Sequence, residues 1–435
     1  MRIIHLPSSY LPDSVGGTEN YVHRLCEGLG QLGHEVIVAC HRGDTNASNV
    51  SSHYRVLSLD ALRSPSRREL YRVTLNESPP GFREILQQFS PDLVHFHSFT
   101  LGAGVDHARA ALECGIPYVV TYHVPSITCV RGTLVRFGRE VCDGFMDEGQ
   151  CATCLLEQQG IPLPLASLLG RSGAKSDSLP DTWWMVKLAS RDLVRLHHKT
   201  SREFLANSAR VVACSDWSRD LLVLNGVSPQ KISVYRQAMP GVTRTRQLRL
   251  PIDRGRTIRL GFLGRFVPDK GPDLLLRAVP YLRKNGLKIE CELSGPMSPR
   301  YAHWAKRLLA RHASEGRYLG FIPESDLNNW LSSLDLLVVP SRWMELGTYT
   351  LLEAWDSGTP VIGANLGGVP EFLCANGLSD LLFDLNNPIS LADAVMRATA
   401  WKGTAPWVTV PGMAELSEAM ISVYEGACVR FMRRS

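Results

Sequence analysis

Apolar residues in this chain come in short unbroken runs that alternate with longer stretches of helical period. In the first half the runs are RIIHL, HEVIVAC, YRVLSL, PDLVHFH, IPYVVTYH, RVVACS and KISVYR, with a helix predicted from about Thr18 to Leu32. Runs of four to six residues bounded by Gly, Pro or Asp and separated by helices indicate parallel strands covered on both faces. The rhythm restarts at TIRLGFLGRF and continues through KIECELSG, RYLGF, DLLVVPS and TPVIGA. Between the two series, PGVTRTRQLRLPIDRGRT is rich in Arg and poor in apolar pattern, which predicts a linker over 241–256. The pattern therefore predicts two doubly wound α/β domains, 1–240 and 257–412, followed by a helical segment over 413–435. In such sheets ligands sit at the carboxyl ends of the strands.

A length of 435 residues allows each domain its own core, and 44% hydrophobic with 20% charged residues is ordinary for a soluble globular protein. The balance of 47 basic to 42 acidic side chains is mild, and no nucleic-acid module is present in the sequence. MRIIHLPSSYLP is too short an apolar run for a signal peptide, and no stretch reaches transmembrane length. A cytoplasmic protein is expected, with the inner face of the cell membrane as a second placement. Eleven cysteines, an odd number, fit poorly with a disulfide framework.

Chemistry concentrates in VPSRWMELGTYTLLEAWDSGTPVIGANLGGVPEFL, residues 339–373. Glu345 and Glu353 stand eight positions apart across a loop-to-helix junction, and the amides of Gly347, Thr348 and Tyr349 open the helix. Amides at a helix start bind anions, and carboxylates accept hydrogen bonds from hydroxyls. Sugar nucleotides offer both groups. Upstream, GFLGRFVPDKGPDLLLRA reads as strand, loop and helix, with Arg265 and Lys270 on the loop. Two cations converging with a helix N-terminus form a diphosphate cradle without metal. The plainer reading is a solvated loop with two charges, with Glu345 a helix cap and Glu353 a surface carboxylate.

Taken in order, these strings resemble the GR-x-x-x-x-KG and Glu-x7-Glu signatures of retaining glycosyltransferases of the GT-B fold, group 1, family 4 type. The resemblance implies two Rossmann-like domains facing across a cleft, with the helix over 413–435 crossing back to the first. It implies that Arg265 and Lys270 grip the donor diphosphate, Glu345 contacts the transferred sugar and Glu353 the ribose. Gly295 would line the donor site, and RYLGFIP would hold the base through backbone groups. Many relatives read Glu-x-Phe-Gly where this chain has Glu345-Leu346-Gly347-Thr348.

In the first half, Gly16 and Gly17 join the first strand to the first helix, where paired glycines let backbone approach a phosphate. The loop is similar to the family's GG-x-E, and a tight turn is the other reading. It is not a G-x-G-x-x-G, which speaks against a nicotinamide enzyme. His123 closes IPYVVTYH. The resemblance implies that it touches the sugar or phosphates and stabilises the departing oxygen, and a buried, satisfied histidine is the alternative. His95 and His97 read as structural, one facing the core and the other the cleft edge. The chain shows no nucleophile motif and no Asp-x-Asp element. The resemblance accordingly implies a front-face route, resting on position and charge, with no metal required for chemistry.

An insertion over 124–180 places Cys129, Cys142, Cys151 and Cys154 in a C-x12-C-x8-C-x2-C pattern. The spacing suits a structural zinc ion, and a reduced or disulfide-paired cluster and a redox role are the other readings. A subgroup of the resembled family carries a cysteine-bearing insertion at this location. Downstream, Trp183 and Trp184 with several cations read either as a membrane-surface or lipid-acceptor contact or as core packing. The expected activity is sugar transfer from a UDP- or GDP-sugar to a hydroxyl acceptor, saccharide or lipid-linked, for a polysaccharide, glycolipid or glycosylated metabolite. A GT-B sugar-nucleotide epimerase and a non-catalytic sugar-nucleotide-binding partner are the alternatives.

Overall fold

The predicted runs are strands in the computed structural model, which describes residues 1–14, 16–41, 51–137, 140–347 and 349–432. The chain divides into two units, Met1–Arg236 with Met413–Ser435, and Gln237–Gly412.

The first unit carries β1 (Arg2–Leu6), β2 (Glu35–His41), β3 (Arg55–Leu59), β4 (Leu93–Phe96), β5 (Tyr118–Tyr122), β6 (Val135–Arg136), β7 (Glu140–Val141), β8 (Arg210–Ala213) and β9 (Ile232–Val234). Seven of these form a parallel sheet in the order β3-β2-β1-β4-β5-β8-β9, and β6 and β7 pair as a short antiparallel ladder in the insertion. β4 and β5 are buried at every position, which is why their sequences run apolar instead of alternating. The sheet grows outward from β1 on both sides, so its topological switch point lies between β1 and β4. The last helix, Met413–Met432, belongs to this unit and packs on the helix Gly17–Gln31. They meet so closely that a Cβ on Gly28 would stand 2.1 Å from the Ser417 hydroxyl.

The second unit carries β10 (Arg244–Gln247), β11 (Ile258–Leu263), β12 (Ile289–Ser294), β13 (Arg317–Gly320), β14 (Leu336–Val339), β15 (Val361–Ala364), β16 (Leu382–Phe383) and β17 (Trp407–Val410). Its parallel sheet runs β13-β12-β11-β14-β15-β16, with the switch point between β11 and β14. The stretch 241–256 is not the free linker its composition suggests. It contains β10, which pairs antiparallel with β17, and it buries Leu248, Leu250 and Ile252 in the second core. Its arginines are anchors: Arg244 and Arg246 both bond Asp356, and Arg249 donates to Thr359 Oγ1 at 2.6 Å and to the Leu334 carbonyl at 3.0 Å.

Trp183 and Trp184 are 49% and 63% exposed, so these two rings are not packed in a core. The Lys187 ammonium sits 3.5 Å from the Trp183 ring centre. No helix among the described residues is long and apolar enough to cross a membrane.

Candidate active site

In the second unit the chain leaves β11 through the loop 264–271 and enters the helix Pro272–Lys284, where proline at the first position presets the backbone and forfeits no intrahelical bond. Gly271 lies at φ 70° against the loop that follows β14, and a Cβ there would stand 2.1 Å from the Pro340 carbonyl. That second loop carries Glu345, which is 7% exposed. The Lys270 ammonium donates to Glu345 Oε1 at 2.5 Å, and the Ser341 hydroxyl donates to the same oxygen at 2.6 Å. The cation and carboxylate singled out in sequence thus meet at the switch point of the sheet, where doubly wound folds bind ligands.

Three further groups hold this contact. Arg342 forks onto Asp273 at 2.6 and 2.7 Å and donates to the Pro268 carbonyl at 2.8 Å, tying the loop after β14 to the one after β11. The Gly368 amide donates to the Glu345 carbonyl at 2.6 Å. Gly367, at φ 63°, leaves room only for hydrogen, because a Cβ would stand 2.5 Å from the same carbonyl.

The remaining predicted residues fall on neighbouring carboxyl ends. Arg265 is exposed on the loop after β11. Gly295 follows β12 and touches backbone, since a Cβ there would lie 1.9 Å from the Gly264 carbonyl. Gly347 precedes the helix Tyr349–Asp356, on which Tyr349 and Glu353 are half-buried, and Thr348 lies outside the described residues. The Gln237 side chain stands over Gly347, and its Oε1 is buried without a hydrogen-bond partner among the described residues.

In the first unit Gly16 is extended, so room and not conformation requires glycine there. A Cβ would stand 2.7 Å from Glu19 Oε2. Glu19 is held in that pose by the Ser9 and Ser14 hydroxyls, which donate at 2.8 and 2.9 Å, and its charge complements the start of the helix opened by Gly17.

His123 belongs to a buried ladder across four adjacent strands. His5 Nδ1 lies 2.9 Å from His97 Nε2, His97 Nδ1 lies 3.2 Å from His123 Nε2, and His123 Nδ1 faces Cys214 Sγ at 3.8 Å. His95 spends both nitrogens, on Tyr424 OH at 2.8 Å and Thr121 Oγ1 at 2.7 Å. Burial pushes His5 and His123 down to about 3 and holds His95 and His97 well below the ordinary imidazole range. All four are therefore neutral near pH 7. A neutral imidazole has one N–H and one lone pair, so the ladder has two self-consistent arrangements. Either every proton points toward His5 or every proton points toward Cys214. Both nitrogens of His123 are thus engaged inside the protein, and the geometry supports the satisfied-histidine reading over direct donation to a phosphate. His95 and His97 are both buried, which corrects the expectation that one faces outward, because residues two apart on a strand share a face. Nitrogens of His5, His95 and His97 lie within 4.8 Å of one another, but the hydrogen bonds above account for the grouping and leave only His5 Nε2 without a partner.

The glycosyl transferase 4-like domain family matches residues 16–236, half of the chain, and the glycosyl transferases group 1 family matches residues 257–400. The chain belongs to the glycosyl transferase 4-like domain family. Among its relatives is a D-inositol 3-phosphate glycosyltransferase from Corynebacterium glutamicum (strain R), 32% identical over 44% of this chain and 49% of that protein. The chain thus spans about half the length of that relative. An uncharacterised glycosyltransferase from Methanocaldococcus jannaschii is 23% identical over 91% of this chain and 88% of its own length. Among solved structures, sucrose-phosphate synthase from Thermosynechococcus elongatus superposes with a TM-score of 0.59 at 16% identity, covering 100% of this chain and 94% of the other. Anabaena HepE in complex with UDP gives 0.58 at 16% identity, covering 100% and 98%. At such identities the likeness is one of fold, a two-domain Rossmann-like GT-B architecture.

Sequence reasoning about this chain singled out Lys270 and Glu345 but missed Ser341, four residues before its partner Glu345, Arg342, whose partner Asp273 lies on another crossover, and Gln237, which approaches Gly347 only in the fold. It noted Gly367 and Gly368 without their role. Gly367→Ala is expected to lower the stability of the second unit by about 2 kcal/mol or more, from left-handed strain together with overpacking against Glu345. Thermal melting of the variant beside a transfer assay checks this, with the activity loss exceeding the loss of folded fraction.

Proposed function

We propose that this glycosyltransferase moves a sugar from a nucleotide-diphosphate donor to a hydroxyl acceptor with retention at the transferred carbon. The observation that carries the reading is the Lys270–Glu345 contact at the switch point of the second sheet, with Arg265 exposed on the same loop as Lys270. A diphosphate draws both cations, and release of Lys270 frees a Glu345 carboxylate oxygen for a sugar hydroxyl. Glu353 and the amides of Gly347, Thr348 and Tyr349 complete the proposed donor contacts. The UDP bound to a protein of the same fold supports a nucleotide donor, UDP- or GDP-linked.

In the reaction the bond from the anomeric carbon to the leaving phosphate oxygen breaks. The acceptor oxygen bonds the same face of that carbon, and its proton passes to the departing phosphate. Charge growing on the leaving oxygen is met by Lys270 and Arg265. No step of this scheme calls on a metal. The exposed Trp183 and Trp184 fit an acceptor presented at a membrane surface.

A thermal-shift screen of UDP-, GDP- and ADP-sugars tests the reading. A donor at a hundred times its Kd adds about 2.7 kcal/mol. For a unit of this size that is a rise of about 5–10 °C in Tm. Product from that donor and a hydroxyl acceptor should keep the donor's anomeric configuration by NMR. Absence of both a shift and transfer with every donor would refute the reading, and a product formed without acceptor would favour the epimerase.

A further inference from the structure

The insertion after His123 is built from short elements. Its ladder is made of two-residue strands, and its apolar contacts include the small clusters Ala152–Leu155–Val194 and Leu156–Ile161–Ala166 beside buried Ile127, Leu134 and Met146. Short elements of this kind need a staple beyond hydrophobic burial.

Four cysteines from separate pieces converge there. Cys129 follows the turn Pro125–Ile127, Cys142 follows β7, and Cys151 and Cys154 sit on the helix Glu148–Gln158. Spaced by three on a helix, the last two share a face, and all four line one hollow with Arg131 and Arg136. None is in a disulfide. Donors are already aimed at the sulfurs: the Gly144 amide at Cys142 Sγ (3.4 Å), the Phe137 amide at Cys154 Sγ (3.5 Å), and Arg131 Nη1 at Cys154 Sγ (3.7 Å). A neutral thiol accepts weakly, whereas a metal-bound thiolate needs such donors to spread its charge. Two guanidinium groups line this hollow, each paired with a carboxylate, Arg131 with Glu157 and Arg136 with Asp143, both at 3.1 Å.

We propose that Cys129, Cys142, Cys151 and Cys154 bind one structural zinc ion that fixes the insertion. The four ligands come from the chain itself, which closes the site and gives it no open position for chemistry. Thiolate ligands in a C-x-x-C setting select zinc among common divalent ions. The site is independent of the donor site and stands or falls apart from the transfer reaction.

The test uses the full chain, purified without chelator and freshly reduced. Elemental analysis is expected to give one zinc per chain, absent from the Cys151→Ser/Cys154→Ser variant. Exchange with cobalt(II) should give the thiolate charge-transfer and tetrahedral ligand-field bands of a sulfur-bound ion. Removing the metal should lower the first melting transition and expose four more thiols to a thiol reagent. If the serine variant does not fold, the cobalt spectrum and thiol count of the native chain decide. Substoichiometric metal in the reduced protein overturns the proposal. So does iron with the colour of an iron–sulfur centre, or a mass showing the four cysteines joined as disulfides.

Discussion

Lys270→Ala is expected to cut kcat/KM for sugar transfer by about 10²–10³-fold, the usual cost of removing one donor aimed at growing transition-state charge. The same change carries a stability penalty, because Lys270 and Ser341 both satisfy one oxygen of a buried Glu345. Stranding a fully buried charge costs about 3–5 kcal/mol. The Lys270 side chain is 23% exposed, so water reaches the pair and about 1–3 kcal/mol is the better figure. Two further variants separate these effects. Lys270→Ala/Glu345→Gln removes the stranded charge, so its melting point should recover most of the loss while transfer stays at or below the level of Lys270→Ala. Arg265→Ala removes an exposed cation, and should lower transfer with no change in melting. Wild-type turnover in Lys270→Ala would remove Lys270 from the donor site.

The central architecture was legible because of where strands sit. β4 and β5 are covered on both faces, so their residues are apolar without interruption and stand out from the helices around them. β10 was missed for the converse reason. Its residues, Arg244 to Gln247, hold no apolar side chain, and its charges are spent on Asp356, far away in sequence. The same contrast runs through the site. Lys270 and Glu345 could be read because their residue types and the glycines near them form local strings. Arg342 could not, since its partner Asp273 lies on another crossover and nothing beside either residue announces the pairing. The spacing of His95 and His97, two apart on a strand, puts them on one face, against the expectation that one turns to the cleft edge. That a tyrosine near the end of the chain would bond one of them was not readable from any local pattern.

Mild acid is expected to unfold the first unit while the second stays folded. The first unit buries seven histidines whose pKa values are depressed mainly by desolvation. His5, His107, His123 and His197 are pushed down to about 3 and His198 to about 4, with His95 and His97 well below the usual value. Because the folded values lie below the unfolded one, the neutral forms contribute their full stability above pH 6.5. That stability drains as pH falls toward 3, as the unfolded chain takes up protons that the folded one refuses. At pH 5.5 each such histidine costs about 1.4 kcal/mol, since the unfolded imidazole is already about ten-to-one protonated. The five held near 3 or 4 sum to about 7 kcal/mol, within the 5–15 kcal/mol that holds a typical domain together, and His95 and His97 act in the same direction. The second unit contains only His303, which is exposed, and His312, which is half-buried. Calorimetry at pH 7.5, 6.5 and 5.5 should therefore show one transition falling steeply and one nearly fixed, and hydrogen exchange should assign the falling one to 1–236. Two transitions that move together with pH would mean that the buried histidines of the first unit are hydrated or charged in solution.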